Sequence, residues 1–490
     1  MTDPRASFSL RSFRLGMPPL TGLMIPAIYA LALFSSGLLG DGDTFWHVAS
    51  GNWILAHRAV PHVDPFSYTF VGQPWTAHEW LSEVLFAAAF DLAGWSGVLI
   101  LTSLAVALTA ILLAGVLARY MGVLATWLTT MVALGCVTPS LLARPHMLAL
   151  PAMAAWTIAL LRARARNTTP GLPVLVIMVV WANLHGSFAL GLALTIAFAV
   201  EAVADRPDAR LRTAGRWGGF FLLAVLAARL TPNGWHGLLF PVELIRMPEL
   251  ARIAEWQPIN VARNPAPEVA LLALVYIALT RRLSLPPIRL LILMGLIHLC
   301  LHHVRNSMVV GVIAPLILAA PLGRALDGRE GAEGAFHKPG HPAREVVVLI
   351  CALLLVTGGR LLRPVTLDDS NMTPISALNS LPAAVTARPV LNAYQFGGYL
   401  IFRGIRPFVD GRADMYRSFI NDYRGLTDYP DHADFARAAE RFHLGWTIFP
   451  SDSAIGQMLD TQPGWRRVYS DRFAVVHMRV ADDDGVAKPK

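Results

Sequence analysis

The sequence predicts an α-helical polytopic membrane protein of about eleven transmembrane helices with a small C-terminal α/β extracytoplasmic domain. Three observations predict it. First, 54% of the 490 residues are hydrophobic and only 15% are charged, where soluble domains carry about a quarter charged residues. Second, apolar runs of bilayer-crossing length recur up to about residue 360. Third, from about residue 365 the hydropathy turns mixed, with short apolar runs alternating with helical segments. The expected organisation is a transmembrane domain over 1–360, with a first external loop at 40–94, and a soluble domain over 361–490.

The expected spans are 18–39, 95–118, 121–138, 146–161, 172–184, 187–203, 217–230, 267–280, 289–303, 306–322 and 345–359. The first follows Arg5, Arg11 and Arg14 and is too long for a secretory h-region, so it reads as a retained helix. The stretch 81–93 is apolar but carries Glu83 and Asp91, which suits an interfacial helix. In the C-terminal part, strands are expected at Pro389–Leu391, Arg406–Val409, Gly445–Phe449 and Ala474–His477, and helices at 432–443 and 453–460. The Gly-, Arg- and Glu-rich stretch 323–344 reads as a cytoplasmic loop.

Charge sets the orientation. With the N-terminus inside, the cytoplasmic loops receive Arg119, the Arg162–Arg166 and Arg206–Arg216 groups, Arg281, Arg282, Arg289, Arg324, Arg329, Lys338 and Arg344. The opposite loops hold mainly Arg58, Arg144, Arg246, Arg252, Arg263 and Arg305. This is the positive-inside bias of a multi-pass protein of the bacterial cytoplasmic (inner) membrane, with a cytoplasmic N-terminus and a periplasmic C-terminal domain. The net charge of +8 is spread between apolar runs, which argues against a nucleic-acid partner. Cys136, Cys300 and Cys351 sit in apolar runs without ligand spacing.

The same topology gathers polar residues on one external face: 41–83, Arg144–His146, Asn183–His185, Asn233–His236 and His302–Asn306. Polar groups at helix ends in a membrane are costly unless paired or used. Asp41 and Asp43 lie just past the first span, and Asp43 shares a helical face with His47. Such a carboxylate is suited to general-base work or to a divalent metal, Mg or Mn, on a phosphate. The alternative is a helix cap beside an interfacial Trp belt. His78 and Glu79 suit metal ligation, substrate hydrogen bonding or a helix start. Arg144, His146 and Arg305 suit phosphate recognition, or snorkelling to headgroups. Asn183 and His185 in the Trp181–Gly186 turn suit a site wall, or a hairpin satisfying its own backbone. Asp410 and Arg412 suit acceptor recognition or a structural pair. No P-loop or Gly-x-Gly-x-x-Gly is present, so no nucleotide cofactor is expected.

The first-loop series Asp41-Gly-Asp43…Trp46-His47…Gly51…Pro61…Asp64-Pro65-Phe66-Ser67…Trp75…His78-Glu79-Trp80-Leu81 resembles an uncharacterised bacterial branch of the GT-C superfamily of membrane glycosyltransferases. Trp181–Gly186, Gly397-Gly398-Tyr399-Leu400 and Asp410-Gly411-Arg412 fit the same group. The resemblance implies transfer of a sugar from a polyprenyl-phosphate donor to a lipid or glycan acceptor outside the cytoplasm. It also implies a first-loop catalytic base, at Asp43 in preference to Asp41, with Arg144 or Arg305 taking the charge that grows on the phosphate. The rival readings are an O-antigen ligase or polymerase-like enzyme and a non-catalytic transporter or assembly scaffold. A ligase or polymerase would carry its key residues in a large late loop. A transporter favours ionisable groups near the midplane and inverted repeats, and no repeat is evident.

Overall fold

A computed structural model describes residues 19–327 and 342–480. Arg5, Arg11, Arg14, Arg329, Lys338 and most of the 323–344 loop lie outside the described residues. The helical part runs through α1 (Pro19–Leu33), α2 (Asp43–His57), α3 (Trp80–Leu117), α4 (Val123–Val137), α5 (Pro145–Ala165), α6 (Leu175–Leu184) and α7 (Phe188–Ala204). It continues through α8 (Arg210–Ala228), α9 (Gly234–Ile245), α10 (Pro265–Arg281), α11 (Pro287–His302), α12 (Ser307–Asp327) and α13 (Pro342–Leu361). A helix therefore stands at each expected span, and α9 is an addition that hydropathy did not single out.

Within α3 the chain breaks at Ala93 and Gly94, where Gly94 takes φ 57° and ψ −146°. That backbone conformation is open to glycine and strained for other residues. The break separates the Glu83- and Asp91-bearing stretch from the apolar stretch that follows, at the boundary expected from charge.

Among the described residues, four helices are long and apolar enough to cross a membrane: Trp80–Leu117, Val123–Ser140, Pro145–Ala165 and Val304–Leu326. The pair Phe188–Ala204 and Pro207–Ala228, bent by 108°, makes a fifth if taken as one span. The remaining apolar helices are shorter, at 10–17 residues, and a helix of ~17 residues reaches only ~25 Å against a hydrocarbon core of ~30 Å. Outward-facing Leu124, Leu128, Leu272, Leu279 and Leu355 are exposed, as expected where lipid is the solvent. Inside the bundle, Trp156 and Trp181 are fully buried. At the far end of α5 from Arg144, Glu201 of α7 accepts hydrogen bonds from Arg164 Nε at 3.1 Å and Arg289 Nη2 at 2.9 Å, tying α5, α7 and α11 together.

The C-terminal part is a four-stranded sheet in the order β1-β2-β4-β3, built from β1 (Val390–Asn392), β2 (Trp446–Phe449), β3 (Trp465–Ser470) and β4 (Val475–Arg479). β1 pairs parallel with β2, and β4 pairs antiparallel with β2 and β3. Around it lie α14 (Ile375–Asn379), α15 (Ala383–Thr386), α16 (Gly397–Phe402), α17 (Ala413–Tyr416), α18 (Phe419–Asp428), α19 (His432–Arg441) and α20 (Ala454–Leu459). β1, β2, β4, α19 and α20 match sequence expectations. The 406–409 run is not a strand, because it passes beneath the first loop instead of pairing in the sheet. There Phe408 N–H is bonded by Asn392 Oδ1 at 2.7 Å, and Phe408 O accepts from Thr69 Oγ1 at 2.6 Å.

Arg412 clasps these two regions. Its guanidinium donates to Asp64 Oδ1 at 2.6 Å and to both oxygens of Asp410 at 2.8 and 2.7 Å, and Tyr416 OH donates to Asp410 Oδ2 at 2.7 Å. It also lies over the rings of Trp75 and Phe66, 4.8 and 5.2 Å from their centroids. Asp64 in turn accepts the N–H groups of Phe66 and Ser67, so the Asp-Pro-Phe-Ser segment is an Asx turn locked from outside. Removing the cation would leave two buried carboxylates uncompensated. Arg412→Met is expected to destabilise the chain by about 3–5 kcal/mol, read as a fall in the thermal midpoint of detergent-solubilised protein followed by tryptophan fluorescence.

Candidate active site

The site begins where α1 gives way to α2. Asp41 Oδ1 accepts the N–H of Asp43 at 2.7 Å and turns the chain into α2, whose first residue is Asp43. Arg144 approaches from the start of α5. Because Pro145 follows it, Arg144 is held extended (φ −131°, ψ 160°). Its neighbour Ala143 is clamped, with its N–H to Leu38 O at 2.8 Å and its carbonyl accepting from Thr44 Oγ1 at 3.1 Å. The guanidinium meets Asp41 Oδ2 at 3.2 Å and Asp43 Oδ2 at 2.6 Å, and it also pairs with Glu255, from the turn between α9 and α10.

A roof of C-terminal backbone covers this cluster. A Cβ on Gly398 would overlap the Gly42 carbonyl, and one on Gly411 would overlap the Asp43 carboxylate. These glycines are therefore required by close approach, not by a turn. Beneath the roof Asp43 is 17% exposed. Burial raises its pKa to about 7; Arg144 opposes that rise, and the charges of Asp41 and Glu255 add to it. The Tyr394 hydroxyl is pushed well up by burial and by Asp43.

A second cluster adjoins the first. Glu79 lies 3.4 Å from His185 Nε2, 3.7 Å from His78 Nε2 and 4.0 Å from His47 Nε2. His47 Nδ1 is 3.5 Å from Glu83 Oε1 and closes no hydrogen bond, while Ser50 Oγ donates to Glu83 Oε2 at 2.7 Å. Burial holds the His47 and His185 imidazoles below the usual histidine range and raises the Glu79 carboxyl. Buried imidazoles and a buried carboxyl whose charged form is disfavoured are hydrogen-bonding groups suited to hydroxyls. A cleft lined by His78, Gly186, Thr231, Asn233 and Pro241 opens beside them.

Arg305 lies within reach of the same charges. Its guanidinium stacks on Trp256 at 4.6 Å, next in sequence to Glu255, and it feels the charges of Glu255, Arg144 and Glu79. No carboxylate among the described residues closes an ion pair with it.

Several sequence assignments change. Asp410 and Arg412, read as an acceptor contact or a structural pair, are 0% and 1% exposed and form the structural pair, their polar atoms spent on each other, Asp64 and Tyr416. Asn183 is committed to structure: its Oδ1 accepts from Trp80 Nε1 at 2.7 Å, and its Nδ2 donates to Leu230 O at 2.9 Å. His146 gives its Nε2 to the Ser140 carbonyl at 2.7 Å, with its ring 6.2 Å from that of His185. The expected metal pair Asp41 and Asp43 is already occupied by Arg144, and among the described residues no group of three His, Cys, Asp or Glu side chains is arranged to hold a metal. Glu255, Trp256 and Tyr394 were not anticipated. The signal available for Glu255 was an acidic residue in a loop sharing the face of Arg144.

No family model matches the sequence, and no curated protein matches it. Solved structures do match its fold. Archaeal oligosaccharyltransferase AglB from Archaeoglobus fulgidus, in complex with an inhibitory peptide and a dolichol-phosphate, is 12% identical with a TM-score of 0.54, over 89% of this chain and 69% of that one. The Archaeoglobus fulgidus oligosaccharyltransferase in its apo form is 12% identical with a TM-score of 0.53, over 91% and 70%. ArnT from Cupriavidus metallidurans, bound to undecaprenyl phosphate, is 13% identical with a TM-score of 0.52, over 96% and 99%.

The burial of Asp43 has a direct spectroscopic consequence. A carboxylic C=O stretch titrating near pH 7 is expected in infrared difference spectra of the wild type and is expected to vanish in Asp43→Asn; a band that ionises wholly below pH 5 would show that Asp43 is solvated instead. With helices at every expected span, an acidic loop after the first of them, and a fold matched along most of its length, the chain shares its fold with the oligosaccharyltransferase AglB and with ArnT.

Proposed function

We propose that the chain is a glycosyltransferase moving a sugar from a polyprenyl-phosphate donor to a hydroxyl of a lipid or glycan acceptor. Its site would lie on the extracytoplasmic face, with the N-terminus cytoplasmic and the part beyond residue 360 outside. The observation that carries this reading is Asp43: a carboxylate directly past the first apolar helix, roofed by the C-terminal part, with a pKa near 7. A general base is most effective when its pKa lies near the working pH. The fold supports the donor class, since AglB and ArnT were solved with dolichol-phosphate and undecaprenyl phosphate respectively.

In this reading Asp43 takes the proton of the acceptor hydroxyl as its oxygen bonds the anomeric carbon. The bond from that carbon to the phosphate oxygen breaks, and the electron pair leaves on the phosphate. Arg305 receives that charge. It is preferred to Arg144 because Arg144 already serves three carboxylates, whereas Arg305 is held flat on Trp256 with its donors uncommitted to a carboxylate. Arg144 is a positioning residue that fixes Asp43. His47, His78, Glu79 and His185 form a polar wall suited to sugar hydroxyls, with His146 behind His185.

The test is transfer in nanodiscs from a panel of polyprenyl-phosphate sugars, with native lipid extract as acceptor and mass spectrometry of the products. Asp43→Asn is expected to lower the rate by about 10²–10⁴-fold, and Arg305→Ala by about 10²–10³-fold. Asp41→Asn should cost less, because Asp41 turns the chain and does not accept the proton. The wild-type rate should rise with pH through about 7, as Asp43 loses its proton and becomes a competent base. Transfer undiminished in Asp43→Asn would remove Asp43 as the base. Uptake of carrier lipid without any product would favour the transporter reading.

A further inference from the structure

We infer that the Arg144 guanidinium occupies the place of a divalent cation among Asp41, Asp43 and Glu255, so that the native site binds no divalent metal and gains one only when Arg144 is removed. Three carboxylates from three separate segments converge there: the turn after α1, the first residue of α2, and the turn between α9 and α10. Spread around the guanidinium they do not form a metal shell, but carboxylate oxygens are the donors that Mg²⁺ or Mn²⁺ takes. Here a cation is already built in. Nη1 of Arg144 serves Asp41 and Glu255, and Nη2 serves Asp43 at 2.6 Å. The fork of a guanidinium, with five donors and a permanent charge, can serve several carboxylates at once where an ammonium cannot.

The guanidinium is not free to swing aside for a metal. Its backbone is pinned by Pro145 behind and by the Ala143 bonds to Leu38 and Thr44 in front, and the side chain is 18% exposed. A divalent ion would have to displace it and leave a buried charge unpaired, which is strongly unfavourable. Nor do Glu79 and the histidines around it make such a site: among the described residues no group of three His, Cys, Asp or Glu side chains is arranged to hold a metal.

This concerns the donor set and holds whether or not the chain transfers a sugar. The test is Mn²⁺ binding to the chelator-treated full chain in detergent, read from the loss of the free-ion electron paramagnetic resonance signal. Wild type and Arg144→Lys, which both keep the charge, are expected to take up none. Arg144→Gln is expected to take up a single Mn²⁺, and adding Asp43→Asn should abolish that uptake. Wild-type binding that disappears in Asp43→Asn would overturn the inference, as would a folded Arg144→Gln that binds nothing. Should Arg144→Gln not fold, the wild-type and Arg144→Lys measurements still decide whether the native site excludes the ion. None of these readouts depends on product formation, so failure of the transferase reading would leave them intact.

Discussion

Carboxylates gathered at the end of a helix bundle repel one another and resist desolvation, and one guanidinium resolves both problems here. From the start of α5, Arg144 joins the turn after α1, the first residue of α2 and the turn before α10 through Asp41, Asp43 and Glu255. Each of those segments leads a helix, so the ion cluster sets how the helices meet at this end. It also sets the acid–base character of Asp43, since the cation restrains a pKa that burial would drive higher. The proposed base is therefore also part of the scaffold. A change at Arg144 would alter chemistry and packing together, which is why a charge-conserving substitution is more informative there than truncation.

A second clasp explains the C-terminal part. Arg412 holds Asp64 of the first loop against Asp410, and the hydrogen bonds from Thr69 to Phe408 and from Tyr68 to Val390 run alongside it. With the loop fixed, the backbone at Gly398 and Gly411 comes down onto Gly42 and Asp43. That roof excludes water from the carboxylate and raises its pKa. Gly398 lies in α16 and Gly411 just before α17, so the chain between β1 and β2 forms that roof.

Much of this was legible in the sequence, for identifiable reasons. Apolar length marked the helices, and the charges at Glu83 and Asp91 marked the stretch that Gly94 separates from the apolar run. The charge pattern placed the acidic pair, Arg144 and the histidines on one face, and Asp41, Asp43 and Arg144 meet there beside His47, His78, Glu79 and His185. What was not legible depends on tertiary contact. Asp410-Gly411-Arg412 reads identically whether it faces substrate or is sealed within the protein, and only the approach of Asp64, 348 positions before Arg412, decides between them. Asn183 could be a site wall or a hairpin residue satisfying backbone, and Trp80 and Leu230 decide for the second by consuming its amide. Glu255 carries no motif; its role comes from where the loop before α10 folds back. The Asp-x-Asp spacing suggested a metal because spacing does not reveal that an arginine 101 residues beyond Asp43 lies between the two carboxylates.

The most direct test of the account is a cryo-electron microscopy structure of the chain in nanodiscs with undecaprenyl phosphate. The account predicts phosphate density within hydrogen-bonding distance of Arg305, above Trp256 and beside Asp43, with Arg144 still bound to its carboxylates. Phosphate seated instead at the other end of α5, among Arg164, Arg206 and Arg216, would contradict it.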